Sequence, residues 1–281
     1  MWRPRRRHAP WWSVGVSFLL VVMAGAGLAY QQSIELPDGS EATIDWGYDA
    51  VTVKGFAGAP PDAVTATQGR QLARRGAIVD AQRRLLEVLG GVRVTSESLM
   101  LDYLVSDRVM TEVAGLVQGA IIVDEAWDTV LSEHAVTMEI RLSAARSIIL
   151  PELPTLPENP DALPPPPEPI EIATPTGVIF DVRGLDPVPS LTFKVFAADG
   201  SEVVSAGSGS YVIGQAEGDD APMAEFGGDD RVAEHPFMLR AIGLRPNEVD
   251  LVISNEDAAR LQAHLQQRDF FGEGRALLVM N

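Results

Sequence analysis

The sequence predicts an α+β protein: two small modules with mainly antiparallel sheets, joined by a proline-rich linker and preceded by an N-terminal signal or anchor helix. Three observations carry this reading. A basic and then apolar stretch opens the 281-residue chain. Ten of the twenty prolines fall within residues 151–175, which divides the remainder in two. Within each part, apolar residues recur at helical spacing in some segments and alternate in others.

The opening segment carries Arg3, Arg5, Arg6 and Arg7 without an acid, and an uncharged run follows from Trp11 through Ile34. Basic start, apolar core and then small residues is the layout of a secretory signal, whose arginines stay on the cytoplasmic side while the core enters the bilayer. Gly27 and Ala29 occupy the minus-three and minus-one positions for cleavage before Tyr30. Trp11 to Ala29 is also close to the ~20 residues that span a ~30 Å hydrocarbon layer, so an uncleaved anchor fits the same residues. The expected boundaries are therefore 1–29 for signal or anchor, 31–150 for the first module, 151–175 for the linker and 176–281 for the second module.

In the first module, residues 41–56 read as one or two short strands, with alternation at Val51, Val53 and Gly55. After Pro60-Pro61-Asp62 a long helix is expected, because Ala66, Ala73, Ala77, Ala81, Leu85 and Val88 recur at helical spacing as far as Gly90-Gly91. Asp80 lies four residues before Arg84 and Arg83 four before Glu87, pairs that support a helix and assign the charged face to solvent. A shorter helix is expected over Asp102–Val113. Strands follow at Leu116–Glu125 and Ala135–Leu142, the second with Val136, Met138, Ile140 and Leu142 alternating with Thr137, Glu139 and Arg141. Helices on one face of a small antiparallel sheet result.

The linker holds five acids and no base. Proline fixes φ and lacks an N–H, and Pro151, Pro154, Pro157 and Pro160 repeat with the three-residue period of polyproline II. Extended over 151–170, it would separate its ends by roughly 60 Å at ~3.1 Å per residue.

The second module opens with a strand at 176–184 and continues with LTFKVFAADGSEVVS, where Asp199-Gly200 marks a hairpin turn. After a glycine- and acid-rich stretch come FMLRAIGL, a loop at Arg245–Glu248, VDLVIS, a helix and the closing strand ALLVM. Ser254 with Asp257 three residues on is a variant capping box, and Ala258, Leu261 and Leu265 form the inward stripe.

The run ARRGAIVDAQRRLLEVLGGVRVTSES, then VAGLVQGAIIVDEAW and VTMEIRLS, resembles the Lpp-twenty-type lipoprotein domain. It is also similar to the N-terminal domain of flagellar assembly protein T. Ala77, Asp80, Ala81 and Arg83 match an Ala-x-x-Asp-Ala-x-Arg core. Gly91 and Val92 match a Gly-Val step, and Gly115, Gly119 and Ala120 a Gly-x-x-x-Gly-Ala segment. The likeness covers about residues 45–145. It implies a periplasmic or outer-membrane role, often in surface structures such as the flagellum, with no catalytic residues to carry over. The chain has no cysteine, so it departs from the lipidated members and has no disulfide framework.

Charge narrows the partners. Loss of the four arginines near the start would take the net charge from −17 to −21. Such a polyanion is repelled by nucleic acid and by anionic lipid surfaces. Asp219, Asp220, Glu225, Asp229 and Asp230 are hard oxygen donors of the kind calcium takes, but without EF-hand spacing they read first as a solvated loop. Ser208 and Ser210 lack the spacing of a nucleophile elbow, and His134, His235 and His264 lack any metal spacing. His264 is expected to face solvent. No cofactor is implied.

These readings point to an exported, non-catalytic cell-envelope protein: a periplasmic assembly or adaptor component that binds other envelope proteins. It would be soluble after cleavage, or tethered to the inner membrane if the first segment is kept. A periplasmic hydrolase or sugar-active enzyme using surface carboxylates, and a calcium-stabilised structural module, are the alternatives.

Overall fold

The computed structural model describes residues 30–153, 175–205, 207, 209, 211–216, 232 and 235–281. The N-terminal half begins with β1 (Gln31–Glu35), β2 (Glu41–Asp45) and β3 (Ala50–Gly58), followed by α1 (Ala66–Gly91). Thr65 caps α1 by accepting the Gln68 N–H at 3.1 Å, which satisfies one of the free donors of the first turn. The rest of the half comprises α2 (Met100–Tyr103), α3 (Asp107–Gln118), β4 (Ile121–Asp128), β5 (Glu133–Arg141) and α4 (Leu142–Ile149). All sheet pairs here are antiparallel, in the order β1-β2-β3-β5-β4.

Alternation along β5 sorts Val136, Met138 and Ile140 into the core and leaves Thr137, Glu139 and Arg141 off it. The helix lies unusually close to β3, because the residues between them are small. A Cβ added to Gly55 would run into the Ala77 carbonyl and the Ala81 backbone, and one on Gly76 would come within 2.8 Å of the Ala57 Cβ. Both expected ion pairs form on α1: Arg84–Asp80 at 2.9 Å and Arg83–Glu87 at 3.4 Å. Arg84 nevertheless departs from the solvated face expected of it. It is buried, donates to the Lys54 carbonyl at 2.8 Å and lies over the Phe56 ring.

Three details differ from the sequence reading. The helix expected over 102–113 is two pieces, α2 and α3. The second runs on to Gln118 because Val109, Val113 and Val117 continue its buried stripe, so the following strand starts at Ile121 and not at Leu116. Leu142 does not end a strand. It opens α4, where Leu142, Ala145, Ile148 and Ile149 are buried at helical spacing.

The C-terminal half contains β6 (Val178–Asp181), β7 (Val195–Ala197), β8 (Glu202–Val204), β9 (Val212–Gln215), β10 (Phe237–Arg240), β11 (Gly243–Leu244), β12 (Leu251–Ile253), α5 (Asn255–Leu265) and β13 (Ala276–Met280). Gly200, at φ +93°, makes the β7–β8 turn, a conformation glycine adopts without a steric cost. Ser254 caps α5 by accepting the Asp257 N–H at 3.0 Å. The protein is thus α+β, with antiparallel pairing throughout the first sheet. The second half brings parallel pairing as well, where a mostly antiparallel module was expected. The sheet β10-β6-β13-β9 is parallel throughout, and β11-β12-β7-β8 is mixed. The closing strand β13 sits inside its sheet and is buried at every residue. An unbroken apolar run such as ALLVM is the pattern of a parallel strand covered on both faces.

The two halves are not held apart. One hydrophobic cluster runs from Tyr30 to Met280 through both. Backbone bonds join them directly: Leu191 N–H donates to the Arg93 carbonyl at 2.8 Å, Thr192 N–H to that of Val94 at 3.0 Å, and Ile213 N–H to that of Trp46 at 3.2 Å. Arg146 of α4 crosses the junction. Buried there, it donates through Nε to the Leu191 carbonyl at 2.7 Å, pairs with Asp49 at 3.6 Å and lies over the Tyr211 ring. Burial lowers the pKa of its guanidinium and Asp49 opposes that shift. Linker residues 154–174 lie outside the described residues, but both flanks are packed. Leu153 and Pro175 are buried, and Glu152 pairs with Arg108 at 2.6 Å.

His264 corrects another expectation. It is buried against the edge of Phe237, with ring centroids 4.8 Å apart, and its Nδ1 has no hydrogen-bond partner. Burial, then the nearby Arg260, holds its pKa below the ordinary 6.5. The unfolded chain therefore takes up the proton first, so the stability due to neutral His264 is complete above about pH 6.5 and declines as pH falls below it. Thermal unfolding followed from pH 7.5 to 5.5 should show a larger loss for the native protein than for His264→Gln. Parallel losses would remove this role.

Candidate functional site

The halves meet along an open groove of about 590 Å³, within the size range of small-ligand sites. One wall is the chain leaving α1. Val94 N–H donates to the Ser98 carbonyl at 2.9 Å, which folds Thr95–Ser98 into a tight loop. Its hydroxyls form a chain, Thr95 Oγ1 to Ser98 Oγ at 2.6 Å and Ser98 Oγ to the Tyr103 hydroxyl at 3.0 Å. Asp102 closes the loop by accepting the Leu99 N–H at 2.7 Å.

The opposite wall is built on β7, β11 and β12. Asp250 accepts the Lys194 N–H at 2.9 Å and the Asn247 amide at 2.8 Å. Arg245 N–H donates to the Asp250 carbonyl at 2.8 Å, and Glu248 takes a φ of +60° to complete the turn. This turn places the exposed Arg245 guanidinium over Phe196, 4.3 Å from the ring centroid. No carboxylate lies within ion-pairing distance of Arg245 among the described residues. Lys194 is engaged by Glu202 at 3.3 Å.

A second cluster ties β4 to α1. Glu125 accepts from Arg74 at 2.7 Å and contacts His134 Nε2 at 3.4 Å, while Arg70 lies over Trp127. The Arg74 hydrogen bond holds the Glu125 carboxyl below its ordinary pKa, so it stays ionised at neutral pH. At the carboxyl end of the parallel sheet, Asp181 is gripped by Arg183 through bonds of 2.8 and 2.9 Å, which lowers its pKa in the same way. Both carboxylates are committed partners of an arginine and are poorly placed to act as free bases.

Asp219, Asp220, Glu225, Asp229 and Asp230 lie outside the described residues, as do Gly27, Ala29, Ser208, Ser210 and the segment Trp11–Ala29. Tyr30, on the far side of the expected cleavage point, is buried, and its carbonyl accepts the Trp46 N–H at 2.9 Å. Burial, then Asp186, raises the pKa of its hydroxyl. His235 sits in an exposed loop before β10, and His134 and His264 are in different halves. Among the described residues no group of three or more His, Asp or Glu could hold a metal ion, and no helix is long and apolar enough to cross a membrane. The groove residues carry no local motif, so sequence reasoning had no signal by which to join Ser98 to Arg245.

No curated protein matches the chain. Residues 177–281 match the family model described as the second domain of Treponema pallidum Tp0624.

Proposed function

We propose that this chain is an exported, non-catalytic adaptor of the cell envelope, working in the periplasm, that holds a partner protein by strand addition to β4. The basic-then-apolar start supports export. The resemblance of residues 45–145 to the Lpp-twenty-type domain and to flagellar assembly protein T supports a role in surface-structure assembly.

The observation that carries the reading is the outer edge of β4. Among the described residues this strand pairs on one side only, with β5, and Ile121 and Val123 are 64% and 50% exposed. An unpaired edge with apolar side chains is a template for an incoming extended segment, which gains main-chain hydrogen bonds along its length. Asp124 and Asp128 make the strand acidic beside the Arg74-paired Glu125. Two copies pairing edge to edge would bring these acids together, whereas a basic, apolar segment of another protein complements them.

A photoreactive residue placed at Val123 in living cells tests this, with one at the exposed Thr67 as control. The expected product is a crosslink from position 123 alone, found in the envelope fraction and lost when Ile121→Lys is added. Equal crosslinking from both positions would discard the edge, and recovery of the protein only from cytosol would discard export.

A further inference from the structure

We propose that the groove between the halves binds a carboxylated sugar, its carboxylate on Arg245 and its hydroxyls on the Thr95–Ser98–Tyr103 wall. This site is separate from the β4 edge and does not rest on it.

The charges of the groove leave one cation unsatisfied. Asp250 is engaged by Lys194 N–H and Asn247, Asp102 by Leu99 N–H, and the Lys194 ammonium by Glu202. Arg245 has only the face of Phe196. The ring holds the guanidinium near its face without using up its N–H groups as an ion pair would, and those N–H groups form a fork of parallel donors matched to a carboxylate.

The facing wall has different chemistry. Three linked hydroxyls, 2.6 and 3.0 Å apart, retain lone pairs and at least one proton beyond those used among themselves. They suit a ligand that presents several hydroxyls in a row. Glu97, on the same wall, adds an acceptor that favours hydroxyl donors there and repels an anion, so it directs the carboxylate to the Arg245 end. The walls are held in place by the Leu191–Arg93 and Thr192–Val94 backbone bonds beside them. A pre-formed site loses little ordering entropy on binding.

Calorimetric titration of the full-length protein with sodium glucuronate tests the proposal, with glucose and sodium acetate run alongside. Glucuronate should bind saturably and glucose and acetate each at least about tenfold more weakly, because each lacks one half of the recognition. Arg245→Met should weaken glucuronate about tenfold or more, and Arg245→Lys should restore only part, since an ammonium keeps the charge without the fork. Tyr103→Phe should weaken it severalfold. Arg245 is exposed, so the melting temperature of Arg245→Met serves as the control for folding and should match the native protein. Absence of saturable glucuronate binding, equal binding by Arg245→Met, or acetate binding as tightly as glucuronate would each overturn the assignment.

Discussion

Replacing Arg146 with alanine should lower the stability of the whole protein by about 3 kcal/mol, the scale found when one member of a buried polar or ionic contact is removed. Three losses combine. The Leu191 carbonyl is left without its 2.7 Å donor, the Tyr211 ring loses the cation over its face, and the space of a long buried side chain is vacated. Asp49 suffers less, because it also accepts the Ser143 N–H at 3.0 Å. For a chain of this size the loss corresponds to a fall in melting temperature of roughly 6–12 °C. Arg146→Lys should recover little, since one ammonium cannot both reach the carbonyl and cover the ring. Because the contact spans the junction, the native protein should unfold in one calorimetric transition and the alanine variant should broaden or split it. An unchanged melting temperature would show that the junction does not depend on Arg146.

Gly55→Val should be at least as damaging, for a different reason. At this point β3 and α1 touch through backbone, and an added Cβ would overlap the Ala77 carbonyl and the Ala81 backbone. Backbone cannot rotate aside as a flexible side chain can, so the helix must shift and unseat Ala77, Ala81 and Leu85 from the core. Overpacking usually costs ~1–3 kcal/mol, and a clash with two stretches of main chain belongs at the top of that range or beyond. Even Gly55→Ala should be strongly destabilising. Gly90→Ala is the informative contrast: a Cβ added there would meet nothing within 4 Å, and the residue sits inside α1, so the change should stabilise by roughly 0.5–1 kcal/mol. Urea unfolding of the variants side by side would decide the matter, and equal midpoints for Gly55→Ala and the native chain would rule out the close approach.

The same contrast between local and distant causes separates what could be read in advance from what could not. Helix α1 was legible because alanine and leucine recur at helical spacing between Pro60-Pro61-Asp62 and a glycine pair. Strand β5 was legible because its neighbours alternate strictly, and α5 because Ser254 and Asp257 sit three apart. Those signals lie within a few residues of the positions they govern. Strand β1 and helix α4 were missed, although Leu142, Ala145 and Ile149 do carry helical spacing, because the preceding alternation was followed one residue too far. The burial of His264 was missed because its cover is Phe237, more than twenty residues away on another strand.

From sequence alone follow the α+β class, the Ser254 cap, the Asp199-Gly200 turn and the inward stripes, all of which depend on short-range periodicity and backbone chemistry. Tertiary structure decided that strands of the C-terminal half run in parallel, that the halves share one core, that Arg146 bridges them and that a groove with an unpaired arginine opens at their junction. These outcomes rest on meetings such as Thr192 with Val94, 98 residues apart. Local propensity specifies which elements form, whereas their partners are chosen by complementary shape and by the satisfaction of buried polar groups, which only the assembled fold can supply.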